Sequence, residues 1–201
     1  MSKTIGLFVA LLLIGCATPR AERPQPAPAP AAADLQASLG GEIPDVPLTT
    51  QAGQSVHFYS DLVRGKVVVV QFLFTKCDGL CPGATANLVR VQDELGADFG
   101  RNVFFYSITL DPEHDTPEVL AEYAATMGAK PGWTFLTGRL EDIERLRTRL
   151  GIRDPDPAID ADRSQHLGVV VYGNDAKGRW AALPALISPQ LITASLRLVM
   201  S

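Results

Sequence analysis

Two cysteines, Cys77 and Cys81, lie four positions apart in the middle of the chain. They follow the apolar run KVVVVQFLFTK and lie within CDGLCPGATANL, so both sulfurs come at the end of the strongest strand pattern in the sequence. The remaining cysteine, Cys16, belongs to an N-terminal targeting pattern. A pair of thiols at the end of a strand suits thiol redox chemistry or the binding of a soft metal ion.

The spacing of the two cysteines leaves several kinds of chemistry open. Thiolates are soft donors that select Cu(I), and an imidazole ligand suits both oxidation states of copper. The residues between the sulfurs give them room to spread around an ion, and they also allow a disulfide. A structural disulfide is the plainest alternative, although so short a loop would constrain little of the unfolded chain. The pair can therefore serve as a metal site or as a disulfide, and oxidation would abolish metal binding.

The segments around the pair alternate between strand and helix patterns. The sequence predicts strands over residues 46–49, 55–58, 66–75, 102–110 and 133–136, with a late hairpin formed by HLGVVVYG and RWAAL. Predicted helices follow Cys81, begin at Thr116-Pro117-Glu118, cover residues 140–150 and begin again at Ser188-Pro189. This order predicts an α/β fold, with a mixed central sheet flanked by helices and an N-terminal β-hairpin extension. Two cysteines at the carboxyl end of a central strand, where the next helix begins, give a thioredoxin-like arrangement. If Cys81 begins that helix, we expect the helix dipole to lower the pKa of its thiol.

Size and charge limit the kinds of partner that the folded part can have. The chain has 201 residues and a formal net charge of −4 at pH 7. Residues 43–201 are the right length for one compact domain. The charge balance is mildly acidic and no basic cluster interrupts it, so nucleic acid is not expected as a partner.

The N-terminus has the pattern of an export signal. Lys3 precedes the apolar run IGLFVALLLI, which is too short for a spanning helix. The run ends in LIGC, which resembles the bacterial lipobox, in which the cysteine becomes the lipidated first residue. We therefore expect a signal peptide over residues 1–15, a lipidated Cys16 with a Pro/Ala-rich linker over residues 16–42, and a thioredoxin-like domain over residues 43–201.

This N-terminal pattern predicts a location in the cell envelope. The tract ATPRAERPQPAPAPAAAD favours an extended polyproline spacer. We expect the lipid to anchor the chain to a membrane, with the domain in the periplasm. Ala17 directly after the cysteine favours the outer membrane in similar lipoproteins.

Four separate stretches of the domain carry a family resemblance. They are FLFTKCDGLCPGATANL, SITLDPEHDTPEVLAEYA, WTFLTG and QHLGVVVYG, and they resemble the Sco/SenC family. Members of this family are membrane-anchored copper chaperones with a thioredoxin fold that act in respiratory oxidase assembly. The resemblance implies that Cys77, Cys81 and the late His166 bind copper, with Pro82 directly after the second cysteine.

Two positions depart from the family pattern, which commonly has proline after the first cysteine and an acidic residue before the histidine. Here these positions hold Asp78 and Gln165, and both replacements can alter copper affinity or redox potential without removing a ligand.

Four further polar residues lie outside the ligand set that the resemblance implies. His57 and His114 match no ligand position, and we interpret them as surface residues. We expect Asp111 and Asp115 to shape their loop and cap the following helix, with an auxiliary role beside the site left open.

Three functions remain open from the sequence. The first is a metallochaperone that delivers copper to an oxidase subunit or to another copper chaperone. The second is a thiol–disulfide reductase that keeps the cysteines of a copper-accepting protein reduced, with Cys77 attacking first. The third is a copper or redox sensor that does not pass the metal on.

Overall fold

A computed structural model describes residues 42–77, 79–153, 156, 158, 160 and 168–201. The predicted signal peptide and nearly all of the predicted linker, including Cys16, lie outside the described residues. The division of the chain into three segments therefore stays a prediction. No helix in the described part is both long enough and apolar enough to cross a membrane.

A mixed sheet organises the described residues. Its seven strands are β1 (Pro47–Thr50), β2 (Ser55–His57), β3 (Val67–Leu73), β4 (Val103–Thr109), β5 (Trp133–Gly138), β6 (Val169–Asn174) and β7 (Arg179–Pro184). Their order across the sheet is β2-β1-β5-β4-β3-β6-β7. Strands β3, β4 and β5 are parallel, whereas β1 pairs antiparallel with β5, and β6 pairs antiparallel with β3. The predicted mixed sheet and its N-terminal hairpin extension are both confirmed.

Helices cover both faces of this sheet. In the described part they are α1 (Leu80–Leu95), α2 (Pro117–Met127), α3 (Leu140–Arg149) and α4 (Pro189–Met200). Helices α1, α2 and α4 pack on one face, where they meet Val67, Val69 and Leu73 of β3. Helix α3 and the N-terminal segment pack on the other face, against Val68 and Val70. Because β3 is buried on both faces, it is apolar almost throughout rather than alternating.

The ends of two helices follow the expected capping residues. Thr116 accepts a hydrogen bond from Val119 N–H, and Ser188 accepts one from Leu191 N–H, each directly before a proline in the first turn. Gly128 ends α2 in the left-handed conformation, at φ 80°. These residues fix where α2 begins and ends and where α4 begins.

One segment differs from the prediction. The sequence pattern places Phe58 in a strand, but Phe58–Val63 forms a π-helical turn, in which Arg64 N–H donates to the carbonyl oxygen of Tyr59 at 2.8 Å. Phe58 and Val63 are both fully buried, and the wide turn brings residues five apart to one side. That spacing matches neither a strand nor an α-helix, so periodicity alone could not predict it.

Candidate metal and thiol centre

The two cysteines lie at the junction of β3 and α1. Cys77 is in the loop between these elements, and its N–H donates to the carbonyl oxygen of Phe74 at 3.3 Å. Cys81 is the second residue of α1, whose cap is Gly79. Neither cysteine forms a disulfide in the structure. The strand-to-helix junction that the sequence predicts around the pair is therefore present.

The two thiols are in contact but differ in exposure. Cys77 is half-buried, whereas Cys81 is only 7% exposed and belongs to the core beneath α1. Burial raises the pKa of the Cys81 thiol to about 12, and a hydrogen bond with Cys77 contributes to the increase. The lowered pKa that we expected from the helix dipole is therefore wrong. The desolvation of a thiolate in the core outweighs the favourable end of the helix.

Timed alkylation of the reduced protein measures this difference. We expect iodoacetamide at pH 8 to modify Cys77 at least about tenfold faster than Cys81, since the thiolate is the reactive form and Cys81 is buried. A thiol with a pKa of about 12 is ionised at pH 8 only to a fraction on the order of 10⁻⁴. Peptide mass spectrometry gives the two rates. The denatured protein is the control and should give similar rates, whereas similar rates in the folded protein would contradict the assignment.

A cavity of about 20 Å³ lies beside Cys81. Residues from β3, from the start of α1 and from the open end of the β6–β7 hairpin line it, namely Gln71, Phe72, Leu80, Cys81, Ala84, Gly168, Val169 and Ala185. A Cβ added at Gly168 would lie 3.4 Å from Cδ1 of Leu80. The chain therefore enters β6 directly alongside the first turn of α1.

A network of buried polar side chains lies one helical turn beyond Cys81. Gln71 Nε2 donates to Ser107 Oγ at 2.8 Å and to Thr85 Oγ1 at 3.4 Å. The Tyr123 hydroxyl donates to the same Thr85 Oγ1 at 3.2 Å. Sequence analysis missed this network, although a glutamine within the apolar run VVVVQFL was a signal for it.

Tyr123 lies close enough to the thiols to respond to their charge. Burial is the largest cause that raises the pKa of Tyr123. Negative charge on Cys81, Cys77 and Asp115 raises this pKa further, against the opposing hydrogen bond with Thr85. The hydroxyl is therefore protonated at neutral pH and offers a neutral hydrogen-bonding group beside the thiols.

The loop between β4 and α2 lies against the loop that carries Cys77. Asp115 accepts a hydrogen bond from Thr75 N–H at 3.1 Å, and Asp111 accepts one through its carbonyl oxygen from Asp115 N–H at 2.9 Å. Both aspartates thus shape the loop, as expected. The expected capping role is wrong, because Thr116 supplies the N-cap of α2.

The two described histidines are both exposed, in agreement with their interpretation as surface residues. His57 ends β2, far along the sheet from β3. His114 lies in the β4–α2 loop, with Nδ1 at 3.0 Å from Asp111 Oδ1. The carboxylate of Asp111 therefore orients this imidazole.

Several predicted site residues lie outside the described residues: Cys16, Asp78, Gln165 and His166. Within the ranges that the structure does describe, no three His, Cys, Asp or Glu side chains converge to hold a metal ion. The described part of the centre therefore consists of two sulfurs.

A dithiol at the end of a central parallel strand, with the second sulfur in the first turn of the next helix, defines a thioredoxin-like protein with a thiol or metal centre. The family model for SCO1/SenC matches residues 42–197, and the chain belongs to the SCO1/SenC family. This match confirms the resemblance that the four sequence stretches carry.

Relatives of the chain include proteins of known structure. The SCO2-like protein of Rickettsia felis is 28% identical over 187 residues, which cover 90% of this chain and 84% of the relative. The copper-bound structure of ScoI from Bradyrhizobium japonicum is 25% identical, with a TM-score of 0.60 over 78% of this chain and 99% of that one. BsSco, a member of the Sco family of cytochrome c oxidase assembly proteins in which a disulfide switch was identified, is 24% identical, with a TM-score of 0.65 over 80% of this chain and 94% of that one.

Proposed function

We propose that this protein is a copper metallochaperone that binds copper through Cys77, Cys81 and His166. It delivers the ion to a copper-accepting subunit of a respiratory cytochrome oxidase or to another copper chaperone. The observation that carries this proposal is the pair of adjacent free thiols, one buried and one half-buried, at the edge of the sheet where β6 begins. Membership in the SCO1/SenC family and the copper-bound relative ScoI support copper as the cargo.

The register of the sheet supports His166 as the third ligand. Strand β6 is antiparallel to β3, with Val170 opposite Gln71, so the start of β6 and the end of β3 lie at the same edge. His166 is two residues before Gly168, and two residues span at most about 7 Å. The position of the described start of β6 therefore supports the proposal that His166 reaches the edge that carries both sulfurs.

The donor set suits transfer rather than storage. Two thiolates and one imidazole make a three-coordinate site that is favourable for Cu(I). Because Cys77 is half-buried rather than enclosed, an acceptor thiolate can approach the ion from that side. Copper then leaves by stepwise exchange of its ligands.

Attachment to a membrane fits delivery to a membrane-bound oxidase. The lipobox-like LIGC supports lipidation of Cys16, and the Pro/Ala-rich linker supports a domain held away from the lipid in the periplasm. A lipid anchor in either membrane of the envelope would keep the carrier in the periplasm and so limit the volume in which it meets its acceptor.

A thiol–disulfide reductase is the second candidate, and the unequal exposure of the thiols favours it. The Cys77 thiolate would attack a disulfide of a copper-accepting protein, forming a mixed disulfide and releasing one acceptor thiolate. Cys81, after passing its proton to the acceptor thiolate already released, would then attack Cys77 of the mixed disulfide, forming the Cys77–Cys81 disulfide and releasing the second acceptor thiolate.

The variant His166→Ala separates the two candidates. We expect it to lose copper binding while its reaction with a disulfide substrate largely survives, because the imidazole is a metal ligand but takes no part in thiol exchange. Native mass spectrometry of the reduced full-length chain with Cu(I) measures the first property. Release of thiolate from a model disulfide measures the second.

His114→Ala is the matched control, since it removes an exposed imidazole at the same edge of the sheet. It should bind as much copper as the unmodified chain. Full copper binding by His166→Ala would refute the three-ligand site, and loss of thiol exchange in this variant would contradict the separation of roles.

A further inference from the structure

Asp115 is a carboxylate with almost no contact with solvent. It is 1% exposed and lies directly before the cap of α2. Oδ2 accepts hydrogen bonds from Thr75 N–H at 3.1 Å and from Thr109 Oγ1 at 2.5 Å, while Oδ1 accepts one from Thr75 Oγ1 at 2.5 Å. A buried charge is costly unless it is hydrogen-bonded in this way, so the arrangement needs an explanation.

The partners of Asp115 connect two neighbouring loops. Thr75 is two residues before Cys77, in the loop after β3, and Thr109 is the last residue of β4. The next backbone contact along the β3 loop is from Cys77 N–H to Phe74 O at 3.3 Å. The carboxylate therefore attaches the segment that carries Cys77 to the end of the adjacent parallel strand.

The other sulfur is held independently of this attachment. Cys81 lies in the first turn of α1 and is packed in the core. The distance between the sulfurs thus depends on how firmly the Cys77 loop is held. The Asp115 carboxylate accepts the hydrogen bonds that Thr75 donates through its N–H and its hydroxyl.

We propose that Asp115 is a positioning residue that holds the Cys77 loop against β4 and so keeps the Cys77 thiol next to Cys81. This inference rests on the proposed use of the two thiols as one site, and it assigns the geometry of that site to a carboxylate on a different loop. The positioning role that we propose requires the hydrogen bonds of Asp115 rather than its negative charge.

The chemistry of the contacts distinguishes two substitutions. Asparagine can keep all of them, because its Oδ1 can accept from Thr75 N–H and Thr109 Oγ1 while its Nδ2 donates to the Thr75 hydroxyl, which can also accept. Alanine removes every contact and leaves the Thr75 N–H without this acceptor. A role through contacts therefore predicts that Asp115→Asn resembles the unmodified protein and that Asp115→Ala does not.

The equilibrium with glutathione tests the distance between the thiols without copper. In this reaction the protein dithiol and one oxidised glutathione give the protein disulfide and two reduced glutathiones, so two electrons and two protons pass to glutathione. The equilibrium constant rises with the effective concentration of one thiol at the other. Full-length chains that carry Cys16→Ser, which removes the third cysteine, are equilibrated with glutathione in detergent. Acid then stops the thiol exchange, and mass spectrometry gives the fractions of chains in the dithiol and disulfide forms.

We expect Asp115→Ala to lower this equilibrium constant about tenfold or more and Asp115→Asn to change it less than about twofold. Thr75→Val removes one contact and keeps the backbone one, so it should give an intermediate value and a second test if Asp115→Ala folds poorly. Asp142→Ala is the matched control. Asp142 is 6% exposed and pairs with Arg145 at 3.4 Å on α3, across the sheet from the thiols.

Three outcomes would overturn the inference. An unchanged constant in folded Asp115→Ala and in Thr75→Val would remove the positioning role. An Asp115→Asn constant as low as that of Asp115→Ala would mean that charge, not contact, matters. An equal decrease of the equilibrium constant in Asp142→Ala would mean that general destabilisation, and not positioning of the thiol, lowers it. Because no copper is present, failure of the metallochaperone proposal leaves each of these results interpretable.

Discussion

We expect replacement of Cys77 or Cys81 with serine to reduce the copper bound by the reduced protein from about one ion per chain to none. A serine hydroxyl remains protonated at neutral pH and is a hard oxygen donor, whereas Cu(I) prefers thiolate sulfur. One sulfur and one imidazole leave the ion without the second soft ligand that the adjacent thiols supply. Native mass spectrometry of the full-length reduced chain gives the number of ions bound.

Two controls isolate the ligand effect from folding. Cys81 is part of the core, so Cys81→Ala, which adds no polar group, should lose copper as completely as Cys81→Ser. Cys16→Ser removes a thiol far from the folded site in sequence and should still bind about one ion. Copper binding by either folded Cys81 variant would contradict the assignment of Cys81 as a copper ligand. Loss of copper in Cys16→Ser would also contradict the assigned site.

The same substitutions connect the site to oxidase assembly. Cells in which Cys77→Ser replaces the unmodified gene should have little mature oxidase activity at low copper. If the protein delivers copper, added copper should restore much of that activity, because the acceptor can then load without a carrier. If it instead reduces acceptor cysteines, added copper should not restore activity, since the acceptor thiols remain oxidised.

The sheet and its caps could be predicted from the sequence because their determinants are local. The run that forms β3 is apolar on both faces, and Thr116 and Ser188 each precede a proline in the first turn of a helix. Such signals depend on a few neighbouring residues. The position of Cys77 and Cys81 at a strand-to-helix junction follows from the same signals.

The environment of the thiols could not be predicted, because it depends on residues distant in sequence. The helix-dipole argument used only the position of Cys81 at the start of α1, whereas packing against the sheet buries this thiol and raises its pKa. The contact between Asp115 and Thr75 joins residues 40 positions apart. Only the parallel pairing of β3 with β4, which aligns Leu73 with Thr109, brings their loops together.

Topology therefore assembles the centre more than any single motif does. Strand β3 lies between β4 and β6, parallel to the first and antiparallel to the second. The loops after β3 and β4 and the start of β6 consequently lie at one edge of the sheet. The cysteines and Asp115 come from the first two of these parts, and the predicted ligand His166 lies two positions before Gly168 in the sequence.

Oxidation of the Cys77–Cys81 pair should abolish copper binding completely and reversibly. Both sulfurs are needed as thiolates, and a disulfide sulfur is no longer an anionic donor. The thiols are already in hydrogen-bonding contact, so little movement of the loop is needed to join them. Full-length chain carrying Cys16→Ser is oxidised with a small excess of oxidised glutathione and offered Cu(I) without oxygen, and its mass is measured by native mass spectrometry before and after reduction.

A decrease in mass equal to two hydrogen atoms identifies the disulfide, and the copper content of the same sample shows whether the disulfide still binds the ion. We expect about one ion per chain in the reduced protein, none after oxidation, and about one again after treatment with a thiol reductant followed by Cu(I). Cys77→Ala with the same treatment is the control, because it cannot form the intramolecular disulfide and should show no decrease in mass. Stoichiometric copper on the oxidised chain would mean that the ion binds elsewhere, and the proposal that metal and disulfide are alternative states of one dithiol would then be wrong.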